Sequence, residues 1–311
     1  MDFNVTPITL PTPAGAWLSP PVYANGLFVS VCNSVNSNST DISVTSPDGL
    51  TWTQRALPIY GKWSAPAYGN GAFVAVNSVG LTTTAGVRST DGITWGAVTL
   101  PEATGWTQVA FGAGVFVALK TGTTTAATSV DGVTWTIRTL PVVFACQSLV
   151  FFGGLFLAFS TSTYLTSSDG GTWTQRTLDA GISQFVRTAV YGGGTILAVP
   201  RLTTTCFRST DGIVWEQLSL PVSSDWRGGA YYDGAFTLHS YSNPSVAIAS
   251  NDGGGAWEDI SQAFTVAWLT GAGYSQELKT GIALSGTTTT GLFIQKLGPF
   301  WTNSRGQREV L

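Results

Sequence analysis

The chain has 311 residues, a formal net charge of −3, 10% charged residues and 43% hydrophobic ones. That hydrophobic share is enough for a large core and excludes a disordered chain. Four Lys and ten Arg with no basic cluster exclude the counterion-releasing stripe of a nucleic-acid binder.

No apolar run approaches the ~20 residues that span a bilayer as a helix. The opening MDFNVTPITLP lacks the charged and apolar regions of a signal peptide. The expectation is a protein made in the cytoplasm, without a signal peptide and without membrane insertion. Cys32, Cys146 and Cys206 are odd in number and widely separated, so they read as small buried hydrophobes and not as a disulfide framework.

The first element is a short strand, VTPITLP (5–11), closing on Leu-Pro. A longer pattern follows in residues 12–59. There the segment YANGLFVSV (23–31) sets two apolar runs around a Gly-containing pair, which predicts a hairpin of strands A and B. A Thr/Ser-rich stretch predicts strand C, and SPDGLTW (46–52) a tight turn. TWTQRALP (51–58) then reads as strand D, ending at a Leu-Pro whose missing N–H suits an outer edge.

The same order returns in 60–102 (YGNGAFVAV, STDGITW) and 103–142 (FGAGVFVAL, SVDGVTW). It returns again in 143–180 (FFGGLFLAF, SSDGGTW), 181–222 (YGGGTILAV, STDGIVW) and 223–262 (YYDGAFTLH, SNDGGGAW). The turn aspartates Asp48, Asp91, Asp131, Asp169, Asp211 and Asp252 fall in steps of 43, 40, 38, 42 and 41 residues. A period near 40 is the length of one four-stranded propeller blade, and no segment sustains a helical period.

Residues 263–297 supply strands A to C without the turn or strand D, while VTPITLP aligns with WTQRALP (52–58). The expectation is an all-β, seven-bladed β-propeller over residues 1–297. Its last blade, 263–297, is completed by residues 3–11, with six blades plus a small β appendix as the alternative. The tail GPFWTNSRGQREVL (298–311) lies outside the repeat, and its Phe300, Trp301 and Arg305 are candidate docking residues for another chain.

In each S-x-D-G turn the Asp is expected to accept hydrogen bonds from its own turn, Gly permits positive φ, and Trp is expected to bury a large ring between neighbouring blades. Six copies around a ring argue for structure, because an active site needs a unique place. The motif resembles the Asp box of the sialidase and BNR-repeat families, Ser-x-Asp-x-Gly-x-Thr-Trp. The copy at 250–257 fits at full length except for Ala256 in place of Thr, and the other five are one residue shorter.

In the families it resembles, the box is a fold element remote from the active site. The resemblance to sialidases would further imply an arginine triad, a Tyr–Glu pair, an Asp acid/base and an Arg-Ile-Pro element near the N-terminus. No Arg-Ile-Pro occurs here, and Arg55, Arg138 and Arg176 fall on the outer strand D. Glycosidases need two carboxylates about 5–10 Å apart. Outside the turns, Asp2, Asp41, Asp179, Asp225, Asp233, Asp259 and five Glu offer no conspicuous pair. His239, the lone histidine, has no visible triad partners. The expectation is no enzyme, no cofactor and no metal.

The residue seven before each hairpin glycine reads Ser19, Ser64, Thr107, Gln147, Arg187 and Arg227. Each is polar within an apolar strand, which points it toward the central channel. Small residues give way to large donors, so Gln147, Arg187 and Arg227 form a candidate anion- or sugar-accepting patch. Low charge and abundant Thr and Gly suggest a structural or adhesion module of a phage-type virion: a tail, fibre or capsid-decorating protein at the virion surface. Its expected partners are other virion or scaffold proteins, through the tail, and surface glycans; a cellular interaction scaffold and a glycosidase are the alternatives.

Overall fold

The computed structural model describes residues 3–79, 86–103, 105–178, 185–232, 234–241, 243, 246–261, 269–275, 280–285, 290–296, 300–302 and 308–310. Its regular elements are strands, assembled into six four-stranded antiparallel sheets, one five-stranded sheet and a two-stranded ribbon. A typical sheet runs Trp106–Gly112, Val115–Lys120, Thr123–Ser129 and Thr136–Phe144, paired in chain order. These take positions A to D from the axis outward. The innermost strands touch one another in cyclic order, from Ala67–Gly69 through Trp106–Gly112, Ser148–Phe152, Val186–Gly192, Trp226–Tyr232 and Leu269–Ser275 to Val22–Ala24. Radial sheets around a common axis make a β-propeller.

Two local departures follow from proline. In the first repeat strand A is cut into Ala16–Leu18 and Val22–Ala24, both pairing with Leu27–Val35. Pro20 and Pro21 lie between them and donate no ladder hydrogen bond. Strand D was expected to stop at Leu-Pro, but it continues to Gly61, Phe144 and Ser224. Pairing jumps from Ile42↔Ala56 to Thr40↔Gly61, so Leu57-Pro58-Ile59-Tyr60 forms a bulge. The same jump spans Leu140–Val143 and Leu220–Ser223. The bulge needs no N–H from the proline, and it turns Leu57, Leu140 and Leu220 into the core.

The outer place of the last sheet is taken by Phe3–Thr9, which pairs antiparallel with Thr290–Lys296 from Phe3↔Lys296 to Thr9↔Thr290. Ile8 and Leu10 are buried there with Trp52, Phe28, Ile282 and Leu284.

Adjacent sheets interlock through glycine and aromatic pairs. A Cβ on Gly112 would fall 2.0 Å from the ring of Phe151 in the next sheet, and one on Gly69 would fall 2.1 Å from Phe111. Removing the side chain is what lets the neighbouring ring lie flat on the backbone. The A–B hairpins turn on two residues with positive φ, such as Asn70-Gly71 and Ala113-Gly114, the conformation that suits strand twist.

Candidate functional site

The six repeated turns form one device. In the copy at 129–135, Asp131 Oδ1 accepts the N–H groups of Val133 and Thr134 at 2.8 Å each and the hydroxyl of Ser129 at 3.0 Å. Ser129 Oγ in turn accepts the N–H of Gly132 at 2.8 Å, and Trp135 Nε1 donates to the Gly132 carbonyl at 3.3 Å. Asp48, Asp91, Asp169, Asp211 and Asp252 repeat the pattern. These backbone N–H groups lower Asp91 and Asp131 to about 2. Trp52, Trp95 and Trp173 are buried in clusters that also hold residues of the adjacent sheet. The turn carboxylates are thus occupied by their own backbone.

Each turn lies at the end of strand C. In an antiparallel sheet that end is opposite the start of strand A, where the second constellation lies.

There, Ser19, Ser64, Thr107, Gln147, Arg187 and Arg227 line one cavity of about 550 Å³. All six positions singled out by spacing from the hairpin glycine meet at this mouth. The residue before each is core: Leu18, Trp63, Trp106, Cys146, Val186 and Trp226 are all buried. Backbone register explains the switch from core to channel. Pairing between strands A and B breaks between Trp106 and Gln108, between Val186 and Thr188, and between Trp226 and Gly228. Thr107, Arg187 and Arg227 are therefore bulge residues, unpaired in the ladder and re-aimed toward the axis. The same break lies at Leu269/Gly271 in the last sheet.

The three large donors are not equivalent. Arg227 pairs with Asp225, which links Glu216–Ser224 to Trp226–Tyr232, Nη2 to Oδ2 at 2.8 Å, and its guanidinium covers the Tyr241 ring at 3.7 Å. Asp225 is buried and also grips Arg201, with Nε to Oδ1 at 2.6 Å and Nη2 to Oδ2 at 3.0 Å. Burial alone would raise the Asp225 carboxyl, but Arg201 and Arg227 together hold it below its ordinary value. Of the candidate patch Gln147, Arg187 and Arg227, Arg227 is thus engaged by an acid two residues upstream.

Arg187 has no such partner. Its Nε is buried without a hydrogen bond, and among the described residues it forms no ion pair. Desolvation, then repulsion from Arg227 and Arg201, lowers its pKa, only partly offset by Asp225. Gln147 makes a long amide contact to the Ala145 carbonyl at 3.5 Å, and Gln108 donates to the Gln147 carbonyl at 3.3 Å. Lys62 completes the charged lining, a residue the spacing rule could not find because it precedes the core position Trp63.

Elsewhere, His239 is buried with Nε2 3.2 Å from Thr237 Oγ1, and burial lowers it to about 4. The three cysteines are buried, and burial raises Cys146 and Cys206 to about 12. Arg55, Arg138 and Arg176 donate across strands C and D to Thr45, Thr128 and Thr166. In the tail, Phe300–Thr302 pairs with Arg308–Val310 as a ribbon of its own, and Arg305 lies outside the described residues.

No family model matches the chain, and no curated protein matches it by sequence. Among solved structures it is similar to a streptogramin B lyase, with TM-score 0.76 and 8% identity over 94% of this chain and 97% of that one. It is also similar to YCF48 bound to D1 peptide, with TM-score 0.72 and 17% identity over 95% and 96% of the two chains. A chain of a mitotic checkpoint complex matches with TM-score 0.67 and 6% identity over 94% and 91%. At these identities the shared property is the fold, a β-propeller.

Proposed function

We propose that the chain is a non-enzymatic, seven-bladed propeller that binds a protein partner at the mouth of its central channel. The observation that carries this reading is the convergence of six equivalent side chains on one cavity, with the large donors among those six confined to three consecutive sheets. A symmetric structural lining has no use for that asymmetry. The cyclic contact of the inner strands and the pairing of Phe3–Thr9 with Thr290–Lys296 support a closed ring with the last blade shared between distant segments. The turns then act as Asp boxes do in the families they resemble, as fold elements.

The non-enzymatic part is supported by the state of the titratable groups. Asp225 is engaged by two guanidiniums, and His239 is buried away from solvent. That YCF48 has been solved with a peptide bound shows only that this fold accommodates one. The sparse charge and Thr/Gly-rich composition favour a particle setting, a tail, fibre or decorating protein at a virion surface, and detection of the chain in purified particles tests that part. For the mouth, peptide and glycan arrays are probed with the unaltered chain and with Gln147→Ala/Arg187→Met. The expected result is peptide binding that the double variant loses. Ligands retained equally by both proteins sink the mouth as the binding face.

A further inference from the structure

The mouth is lined by charge of one sign. Among the described residues its charged members are Lys62, Arg187 and Arg227, with no carboxylate in the lining, although the chain as a whole carries −3. The nearest counter-charge is already spent. Asp225 meets Arg201 through both oxygens and Arg227 through Oδ2. One carboxylate between two guanidiniums leaves that cluster with an excess positive charge, and Arg187 adds a second.

Resting on the reading of the mouth as the binding face, we propose that Arg187 is the receptor for a single carboxylate of a peptide partner. A buried guanidinium Nε without a partner is an expensive group to keep. An anion brought into the cavity satisfies that N–H and offsets the repulsion from Arg201 and Arg227. A planar fork matches a carboxylate with two parallel N–H···O bonds, and one unengaged guanidinium matches a single negative charge. The Gln147 amide stands beside it as a second donor group on the same rim. The bulge between Val186 and Thr188 holds Arg187 in place, so the receptor sits on a strand and not on a loop.

The lining favours a peptide over an acidic sugar. Sugar rings stack on bare aromatic faces, and among the described lining residues both aromatic rings are already engaged by the protein. Tyr241 is covered by the Arg227 guanidinium, and Trp63 is only 1% exposed. What remains is hydroxyls, amides and backbone, which suit an extended main chain ending or branching in a carboxylate.

The carboxylate can come from a chain terminus or from an acidic side chain, and both are tested on the full chain labelled with ¹⁵N-arginine. The Arg187 Nε–Hε resonance is assigned by its loss in Arg187→Lys. Acetyl-triglycine acid, acetyl-triglycine amide, acetyl-Gly-Glu-Gly amide, glucuronate and phosphate are then titrated at constant ionic strength. The expected result is a saturable shift of this resonance with one or both carboxylate peptides and none with the triglycine amide. Arg187→Met should weaken the responding peptide by about ten- to a hundredfold while the remaining spectrum is retained.

A terminal carboxylate is indicated by a response to the first peptide alone, and a side-chain carboxylate by a response to the third alone. The proposal is overturned if no carboxylate peptide produces a saturable shift, or if glucuronate or phosphate binds more tightly than the peptides. An amide bound as tightly as its acid, with that binding lost in Gln147→Ala/Arg187→Met, removes the carboxylate receptor yet leaves the mouth as the binding face, whereas ligands retained equally by the double variant remove both.

Discussion

His239 makes stability depend on pH within a narrow window. Its imidazole is buried in strand Ala235–Ser240, and burial lowers its pKa from 6.5 to about 4. The native state therefore holds it neutral, while the unfolded chain takes up a proton as pH falls below about 6.5. Between those values the unfolded state binds more protons, so acid favours unfolding. Integrated from about pH 7 to pH 5, the loss of unfolding free energy is about 2 kcal/mol, and carried down to about pH 4 it approaches 3 kcal/mol. Above about pH 7 the contribution is constant. The turn aspartates have native pKa values below 3.8, so their share is lost at lower pH. Urea unfolding at about pH 7, 6 and 5 measures the effect in the unaltered chain and in His239→Gln. The unaltered chain should lose stability progressively, and the variant should stay nearly flat. A flat profile for the unaltered chain, or the same slope in the variant, refutes the burial argument.

Three further outcomes follow from the contacts. Arg187→Met removes an orphaned N–H and a repelled charge, so it should raise stability by about 1 kcal/mol, or about 1.5 °C in Tm for a chain of this size, by differential scanning calorimetry; a clear loss would contradict the unpaired state of Arg187. Asp131→Ala strips one acceptor from Val133, Thr134 and Ser129 and should cost about 1 kcal/mol, with Asp131→Asn, which keeps Oδ1, costing less in urea melts. Gly112→Ala drives a methyl group into the Phe151 ring of the next sheet and should cost about 1–3 kcal/mol, read from the same melts; an unchanged midpoint would show that the sheets do not interlock there.

The repeat made most of this architecture legible. Each S-x-D-G-x-x-W turn carries its own hydrogen bonds, so local sequence suffices to specify it. The alignment of VTPITLP with WTQRALP marks the first strand as a strand D without its own A to C, and Phe3–Thr9 pairs with Thr290–Lys296. The hairpin glycine served as a ruler that brought Ser19 through Arg227 to one cavity. What escaped was whatever depends on tertiary arrival. Arg201 reaches Asp225 from the connection after strand B, a contact no spacing encodes, and together with Arg227 it occupies that carboxylate. The continuation of strand D beyond Pro58 was hidden for a different reason. Proline in sequence marks the end of a strand, whereas a bulge makes its missing N–H harmless.

The pairing of Phe3–Thr9 with Thr290–Lys296 also orders events in time. Six of the sheets can form as soon as their own stretch of about 40 residues has emerged, but this one waits for nearly the whole chain. At ordinary synthesis rates of about 5–20 residues per second, the first strand stands unpaired for roughly 15–60 s. Through that interval Ile8 and Leu10, buried in the finished ring, are open to any other strand edge. Pro7 sits between Thr6 and Ile8 and supplies no N–H for such a pairing. The residue that a finished outer edge merely tolerates is, during synthesis, the guard on an unfastened clasp.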